Sequence, residues 1–181
     1  MTLAGRGIGA TMSVLALAAS MSIARAADAP SLRAVLDAHL CDLQERIVRI
    51  HRSRDADPYE RHIIIEPADR PEAYVQCRFA EGDGRMQCEA ASGYYPVQAG
   101  PRRPHPGNPA ALAALGFAAQ PDDNDALEIE LAPPPDLGRV ARLMLQALHD
   151  GFDFRVPTAL VVTAPLAKTP GTPLPGCSPV S

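Results

Sequence analysis

Residues 74–96, YVQCRFAEGDGRMQCEAASGYYP, place two alternating stretches on either side of the turn-forming sequence Glu-Gly-Asp-Gly. Alternation of apolar and polar residues is typical of β-strands that bury one face, and a short Gly-rich connection favours a hairpin. The segment therefore predicts a β-hairpin with both of its cysteines on the apolar face. The apolar positions are Val75, Cys77, Phe79, Met86, Cys88 and Ala90, and the polar ones are Gln76, Arg78, Arg85, Gln87 and Glu89.

The position of the turn decides which residue faces Cys77. A turn centred on residues 82–83 places Cys77 directly opposite Cys88, whereas a turn centred on residues 83–84 places it opposite Ala90, with Cys88 as a diagonal neighbour. Both alternatives keep the two sulfurs on the same face. Because directly opposed Cα atoms lie roughly 4.5–5.5 Å apart, within reach of a disulfide, the hairpin favours a Cys77–Cys88 bond.

The N-terminal residues 1–26 predict a cleavable signal peptide. Arg6 precedes an apolar stretch, and Ala24-Arg25-Ala26 matches a small-x-small cleavage site. The apolar stretch is shorter than the roughly 18 residues expected of a membrane-spanning helix. We therefore expect a mature protein that begins near Ala27, is periplasmic or secreted in a bacterium, and has no membrane attachment after cleavage.

The four cysteines are best explained as disulfides, because an exported protein folds in an oxidising compartment. Pairing Cys77 with Cys88 leaves Cys41 to meet Cys177, unless the C-terminal tail stays unattached. A redox-active pair would be expected as Cys-x-x-Cys, which is absent. The five histidines show no metal-ligand spacing with one another or with the cysteines, so no metal site is predicted.

The flanking segments predict a single domain over residues 27–165. Its class is α+β, with an antiparallel sheet and helices packed on one face. The first and the last predicted helices each carry one apolar stripe, and the arginines near the end of the first helix are interpreted as a solvated face. Residues 166–181 form a Pro/Gly-rich tail that is expected to lack structure of its own apart from what Cys177 holds.

The predicted helices and strands follow from the spacing of apolar residues and from Pro and Gly at their ends. Residues 31–52 and 137–152 predict long helices, residues 109–117 a short helix, and residues 62–67 and 126–132 strands, while residues 158–164 suit an edge strand or an extended arm. The stripe residues are Leu36, Leu40, Leu43, Ile47 and Ile50 in the first helix and Leu137, Val140, Ala141, Met144, Leu145 and Leu148 in the last; the arginines are Arg46, Arg49, Arg52 and Arg54.

Composition and motifs argue against several classes of function. The chain has 21 Asp and Glu against 17 Lys and Arg, whereas nucleic acids and anionic membranes favour basic partners. It contains no Gly-x-Ser-x-Gly, no His-Glu-x-x-His and no phosphate-binding glycine loop. The acidic residues 122–125 lack a full calcium-ligand series and are interpreted as a solvated loop. We therefore predict a non-enzymatic protein without a cofactor.

Several short motifs resemble the TY-Chap family, the peptide-binding domains related to type III secretion chaperones and to YbjN-like proteins. The resemblance covers roughly residues 31–154 and implies a chaperone-like α+β fold that binds peptides. Gly93 stands where the family usually has asparagine. The motifs are an acid followed by small residues and an aromatic pair (Glu89 to Tyr95), a helix end at Leu115, Gly116 and Phe117, Asn124 before the next strand, and Gly151 with Phe152 after the last helix.

The candidate binding surface is the polar face of the hairpin, with Tyr94 or Tyr95 at its edge. Alternation predicts that one of these tyrosines lies on the core face and the other points outward, where it can contact a peptide. The predicted partner is a peptide or protein segment. The alternative is a periplasmic enzyme or redox accessory protein. The remaining candidate residues are Gln76, Arg78, Gln87 and Glu89.

Overall fold

A computed structural model describes residues 31–80, 83–95, 105–172, 174, 175 and 177 of the 181-residue chain. The predicted signal peptide and its cleavage site lie outside the described residues. The helices are α1 (Leu32–Arg52), α2 (Pro109–Ala114) and α3 (Leu137–Gln146), and a π-helical turn, Ala147–Gly151, continues α3. The strands are β1 (His62–Pro67), β2 (Val75–Phe79), β3 (Arg85–Ala90), β4 (Asp125–Glu130) and β5 (Leu160–Thr163).

The five strands form one antiparallel sheet in the order β4-β3-β2-β1-β5. Within the hairpin, Cys77 lies opposite Cys88, which is the first of the two predicted registers. The segment that suited an edge strand or an arm is an edge strand, since β5 pairs with β1. The predicted α+β class with an antiparallel sheet is confirmed.

The core lies between the sheet and the helices. Every predicted stripe residue of α1 and of the last helix is buried, and these two helices pack against each other. The apolar face of the hairpin is buried beneath them, with Val75, Cys77 and Cys88 fully inaccessible to solvent. Alternation along each strand therefore sends the polar hairpin residues to the opposite face of the sheet. Among the described residues, no helix combines the length and the apolar composition needed to span a bilayer.

Two disulfides are present. Cys77 and Cys88 have Cα atoms 4.0 Å apart, and Cys41 and Cys177 have Cα atoms 5.7 Å apart. The first bond joins neighbouring strands inside the core. The second joins α1 to the C-terminal tail, so the two bonds constrain different parts of the domain.

The tail follows α1 and is held there by side chains of the helix. Arg46 Nη1 donates to the carbonyl oxygens of Ala167 (2.6 Å) and Lys168 (3.1 Å), and Glu45 accepts from the main-chain N–H of Gly171 over 3.2 Å. The interpretation of the helix arginines as a solvated face was therefore wrong for Arg46, which is only 5% exposed. Tail carbonyls satisfy its guanidinium, and the pattern within the helix alone contains no sign of this.

Candidate functional site

The outer face of the sheet brings together the four polar residues predicted from the hairpin. The strand register places Gln76 opposite Glu89 and Arg78 opposite Gln87. Gln76 Nε2 donates to Glu89 Oε2 over 2.6 Å, and Arg78 Nε donates to Gln87 Oε1 over 2.9 Å. These two cross-strand pairs form a polar floor on the side of the sheet away from α1 and α3.

A cavity of about 190 Å³ opens on this floor. Its wall is formed by Pro58, Tyr59 and His62, and its base by the four polar hairpin side chains. Cys77 also borders the cavity, although its side chain lies on the core face. The Tyr59 side chain is 84% exposed. An exposed aromatic ring beside a polar floor gives a ligand both apolar contact area and hydrogen-bonding groups.

The turn that carries Tyr59 has a defined geometry. The main-chain N–H of Tyr59 donates to Asp57 Oδ1 over 2.9 Å, and Pro58 begins a one-turn 3-10 helix, Pro58–Glu60. His62 Nδ1 lies 2.7 Å from the carbonyl oxygen of Tyr59. Because a carbonyl can only accept, Nδ1 carries the proton, and Nε2 of a neutral His62 is left as an acceptor for a ligand.

Sequence reasoning missed Tyr59. The signal available was a tyrosine in the segment DADPYER, where no apolar periodicity calls for an aromatic residue. A tyrosine isolated among charged residues is poorly placed for core packing, and Asp-Pro favours a turn. The strand pairing needed to place this turn above the hairpin is a tertiary feature that the segment does not contain.

A buried polar network extends the floor beyond Glu89. Asn124 Nδ2 donates to the phenol oxygen of Tyr74 over 2.8 Å and lies 3.3 Å from Glu89 Oε2. The other atom of the same amide, Asn124 Oδ1, accepts from the main-chain N–H of Ser92 over 3.3 Å. Asn124 is 3% exposed and Ser92 is 4% exposed. Oε2 of Glu89 is therefore contacted by two side-chain amides, those of Gln76 and Asn124.

Burial raises the pKa of Tyr74 above its ordinary value. The negative charges of Glu89 and Asp123 act in the same direction, and the hydrogen bond from Asn124 partly opposes them. The phenol consequently stays protonated over the physiological range of pH, and its proton is available for donation. Tyr74 thus contributes a neutral hydroxyl to the network.

The prediction that one of Tyr94 and Tyr95 lies on the core face was wrong, because neither ring enters the core, whereas the prediction that the other points outward agrees with the exposure of Tyr95. The strand β3 ends at Ala90, and Gly93 has a φ of +81°, so the period of two does not continue to the tyrosines. Tyr94 is half-buried and Tyr95 is 53% exposed, with their ring centroids 4.9 Å apart in an edge-to-face arrangement. Both rings lie outside the lining of the cavity beside Tyr59.

The acidic residues at the start of β4 have structural roles, and the interpretation of residues 122–125 as a solvated loop was wrong for Asp125, the first residue of β4, which is 5% exposed. Asp123 Oδ1 accepts from the main-chain N–H of Asn124 over 2.7 Å, and Asp125 Oδ2 lies 3.1 Å from Nε2 of His105. His105 also accepts from Gly107 N–H through Nδ1, so both of its ring nitrogens are engaged. Within the described part of the chain, no three His, Cys, Asp or Glu side chains are grouped to hold a metal ion.

The class defined by this architecture is a single α+β domain whose helices cover one face of an antiparallel sheet and leave the other face accessible. The sequence model of the family described as TY-Chap3, "T3SS (YopN, CesT) and YbjN peptide-binding chaperone 3", matches residues 31–165. This match spans most of the chain, and the protein belongs to that family. No curated protein and no solved structure matches the chain significantly.

Proposed function

We propose that the protein is an exported, non-enzymatic, chaperone-like module that holds an extended peptide segment on the outer face of its sheet. Membership of a peptide-binding chaperone family supports the class of ligand. The observation that carries the site is the cavity between exposed Tyr59 and the polar pairs of β2 and β3. A peptide lying there contacts the ring of Tyr59 and exchanges hydrogen bonds with the floor.

Export is supported by the signal-like N-terminus and by the two disulfides, which persist in oxidising compartments. The fully buried Cys77–Cys88 bond suits a structural role, because attack by an external thiolate requires access to a sulfur atom. This argues for a binding module over the alternative of a redox accessory protein.

The first experiment is to purify the protein from the periplasm and to identify any co-purifying peptides by mass spectrometry. Titrating the identified peptide into isotopically labelled protein should shift the amide signals of Gln76, Arg78, Gln87 and Glu89. Shifts restricted to α1 and α3 would exclude the outer face as the site. Turnover of the peptide during the titration, detected as shorter products, would favour the enzymatic alternative.

A matched pair of variants separates ligand contact from folding. Arg78→Ala removes a guanidinium from the floor, whereas Arg33→Ala removes an exposed guanidinium from the start of α1, far along the chain from the hairpin. Both positions are at the surface, so both variants should keep the stability of the parent within about 0.5 kcal/mol. Only Arg78→Ala should weaken binding of the identified peptide.

A further inference from the structure

The strand β4 forms one edge of the sheet, and part of that edge is uncovered. Ala126 exchanges two main-chain hydrogen bonds with Ala118, of 2.8 Å and 2.9 Å, on the side away from β3. In an antiparallel ladder, alternate residues direct their N–H and C=O groups to the same side. Glu128 and Glu130 therefore direct theirs to this same free side, where no described residue hydrogen-bonds to them.

The contact between Ala118 and Ala126 is the beginning of a sixth strand that the chain itself does not complete. Gly116, whose φ is +97°, lies where that strand would have to continue toward Glu128. Positive φ is incompatible with the extended backbone of a β-strand, and α2 ends only two residues before Gly116, at Ala114. The main-chain groups of Glu128 and Glu130 are thus left open in line with an existing antiparallel bridge.

A groove of about 350 Å³ runs along this open edge, between β4 and α3. Leu115, Leu127 and Leu143 supply its apolar surface, and all three are partly buried side chains at the border of the core. The lining also includes the exposed residues Arg139 and Arg142 of α3. The groove is therefore apolar at its base and positively charged along its helical wall.

The two faces of the open edge differ in charge. A strand added beside β4 would send alternate side chains into the groove and the others to the outer face of the sheet. Side chains in the groove meet the leucines, and Arg139 and Arg142 repel any base placed there. Side chains on the outer face meet the exposed carboxylates of Glu128 and Glu130, of which Glu128 shares a 3.4 Å contact with Arg85.

We propose that the β4 edge binds an extended peptide segment of alternating apolar and basic residues, added as a sixth antiparallel strand. The proposal rests on the proposed function only for the chemical nature of the ligand, an extended polypeptide, and it assigns a second surface apart from the outer-face cavity. Apolar side chains fill the groove, and basic side chains pair with Glu128 and Glu130. The free main-chain groups of these two residues supply up to four hydrogen bonds in the ladder.

A second copy of the chain fits this edge less well. Pairing two β4 strands antiparallel about Glu128 and Glu130 would place the four carboxylates opposite one another on one face. Like charges directly opposite each other destabilise a strand pair. Charge complementarity therefore favours a basic partner over self-association.

The test uses the full disulfide-bonded protein and a blocked synthetic peptide of alternating valine and lysine, about seven residues long, so that its central residues lie beside Glu128 and Glu130 and its ends extend beyond them. We expect the peptide to slow amide hydrogen exchange at Glu128 and Glu130. A matched peptide with glutamate in place of lysine should bind more weakly. A peptide with proline at its central position should lose binding, because it lacks a main-chain donor.

Charge reversal on the protein provides the reciprocal test. Each of Glu128→Lys and Glu130→Lys should weaken binding of the lysine peptide by roughly two- to fivefold, the effect of one cross-strand charge pair. The double variant should prefer the glutamate peptide. These side chains are exposed, so the variants should remain folded, which thermal unfolding checks.

Three outcomes would overturn the proposal. Slowed amide hydrogen exchange confined to Gln76, Arg78, Gln87 and Glu89 would leave the proposed function intact and refute the edge site. Protection of Glu128 and Glu130 without peptide, rising with protein concentration together with the sedimentation coefficient, would assign the edge to a second copy. Equal binding of lysine and glutamate peptides would refute the assigned chemistry.

Discussion

The side-chain amide of Asn124 donates to the phenol oxygen of Tyr74 over a distance of 2.8 Å, which ties the loop before β4 to the start of β2. The same amide group accepts from Ser92 N–H and approaches Glu89. Because all of these groups lie at the end of the outer face, the bond connects the stability of the domain to the shape of its candidate site.

Asn124→Ala should lower the free energy of unfolding by about 1–3 kcal/mol, since it leaves buried polar partners unsatisfied. Chemical denaturation measures this loss. Gln120→Ala serves as the control, because it removes an exposed side-chain amide four residues before Asn124. It should change the free energy of unfolding by less than about 0.5 kcal/mol. Equal stabilities of the two variants would show that the network around Asn124 is not stabilising.

Tyr59→Ala should weaken peptide binding by about tenfold while leaving stability unchanged. The ring is 84% exposed, so it contributes little to folding, but it forms the wall of the cavity. Loss of an aromatic contact at a binding site typically costs more than about 1 kcal/mol. Calorimetric titration measures the affinity, and Tyr59→Phe should retain most of it. A Tyr59→Ala variant with the affinity of the parent would remove this residue from the site.

Non-reducing peptide mapping of the protein purified without reductant should recover Cys77 linked to Cys88 and Cys41 linked to Cys177. The bonds span 11 and 136 residues, respectively. In the chain-entropy description, removing the first should cost about 3 kcal/mol and removing the second about 5 kcal/mol. Paired Cys→Ala variants and thermal unfolding test this order. Free thiols at Cys77 and Cys88 would contradict the structural role of the hairpin bond.

The native state should lose stability as the pH falls below about 6.5, the ordinary pKa of histidine in the unfolded chain. Burial lowers the pKa of His39 in the folded state, and the nearby carboxylate of Asp42 only partly offsets this effect. Between these two pKa values the unfolded chain binds more protons, so falling pH favours unfolding.

His39→Gln should therefore flatten the dependence of the unfolding free energy between about pH 7.5 and about pH 5.5. His51 also has a pKa lowered by burial, so a smaller slope of the same sign should remain. Denaturant titrations across this range measure the slopes. Parallel curves for the variant and the parent would show that His39 does not contribute.

N-terminal sequencing of the exported protein should find Ala27 as the first residue. The expectation follows from the Ala24-Arg25-Ala26 cleavage signature after a short apolar stretch. Recovery of the intact N-terminus, Met1 or Thr2, from a soluble periplasmic fraction would contradict both cleavage and the proposed route of export.

The spacing of apolar residues in the sequence was sufficient to predict those helices and strands that bury a single face. The stripe of α1, the strand at residues 62–67 and the alternating hairpin all follow from a single buried face, which a sequence displays directly. Gln76, Arg78, Gln87 and Glu89 were predicted together for the same reason, since period two fixes their common face.

Features that depend on distant segments were not predictable in this way. Arg46 is buried by carbonyl groups of the tail, more than a hundred residues further along the chain, and its own helix gives it a solvated pattern. Tyr59 joins the candidate site only because β1 pairs with β2. The prediction that one of Tyr94 and Tyr95 faces the core was wrong for a local reason. Gly93 ends the strand-like alternation that the prediction had extended to these two residues.

The Cys41–Cys177 bond joins the first helix to the last described residue and so makes nearly the whole domain a covalent ring. A protease that cuts one peptide bond between these two cysteines produces two fragments that remain a single molecule. Reassembly of such a nicked protein is then an intramolecular event, independent of protein concentration. In a compartment rich in proteases, a single cleavage would leave the halves of the sheet together, and the loss of a fragment would require reduction as well.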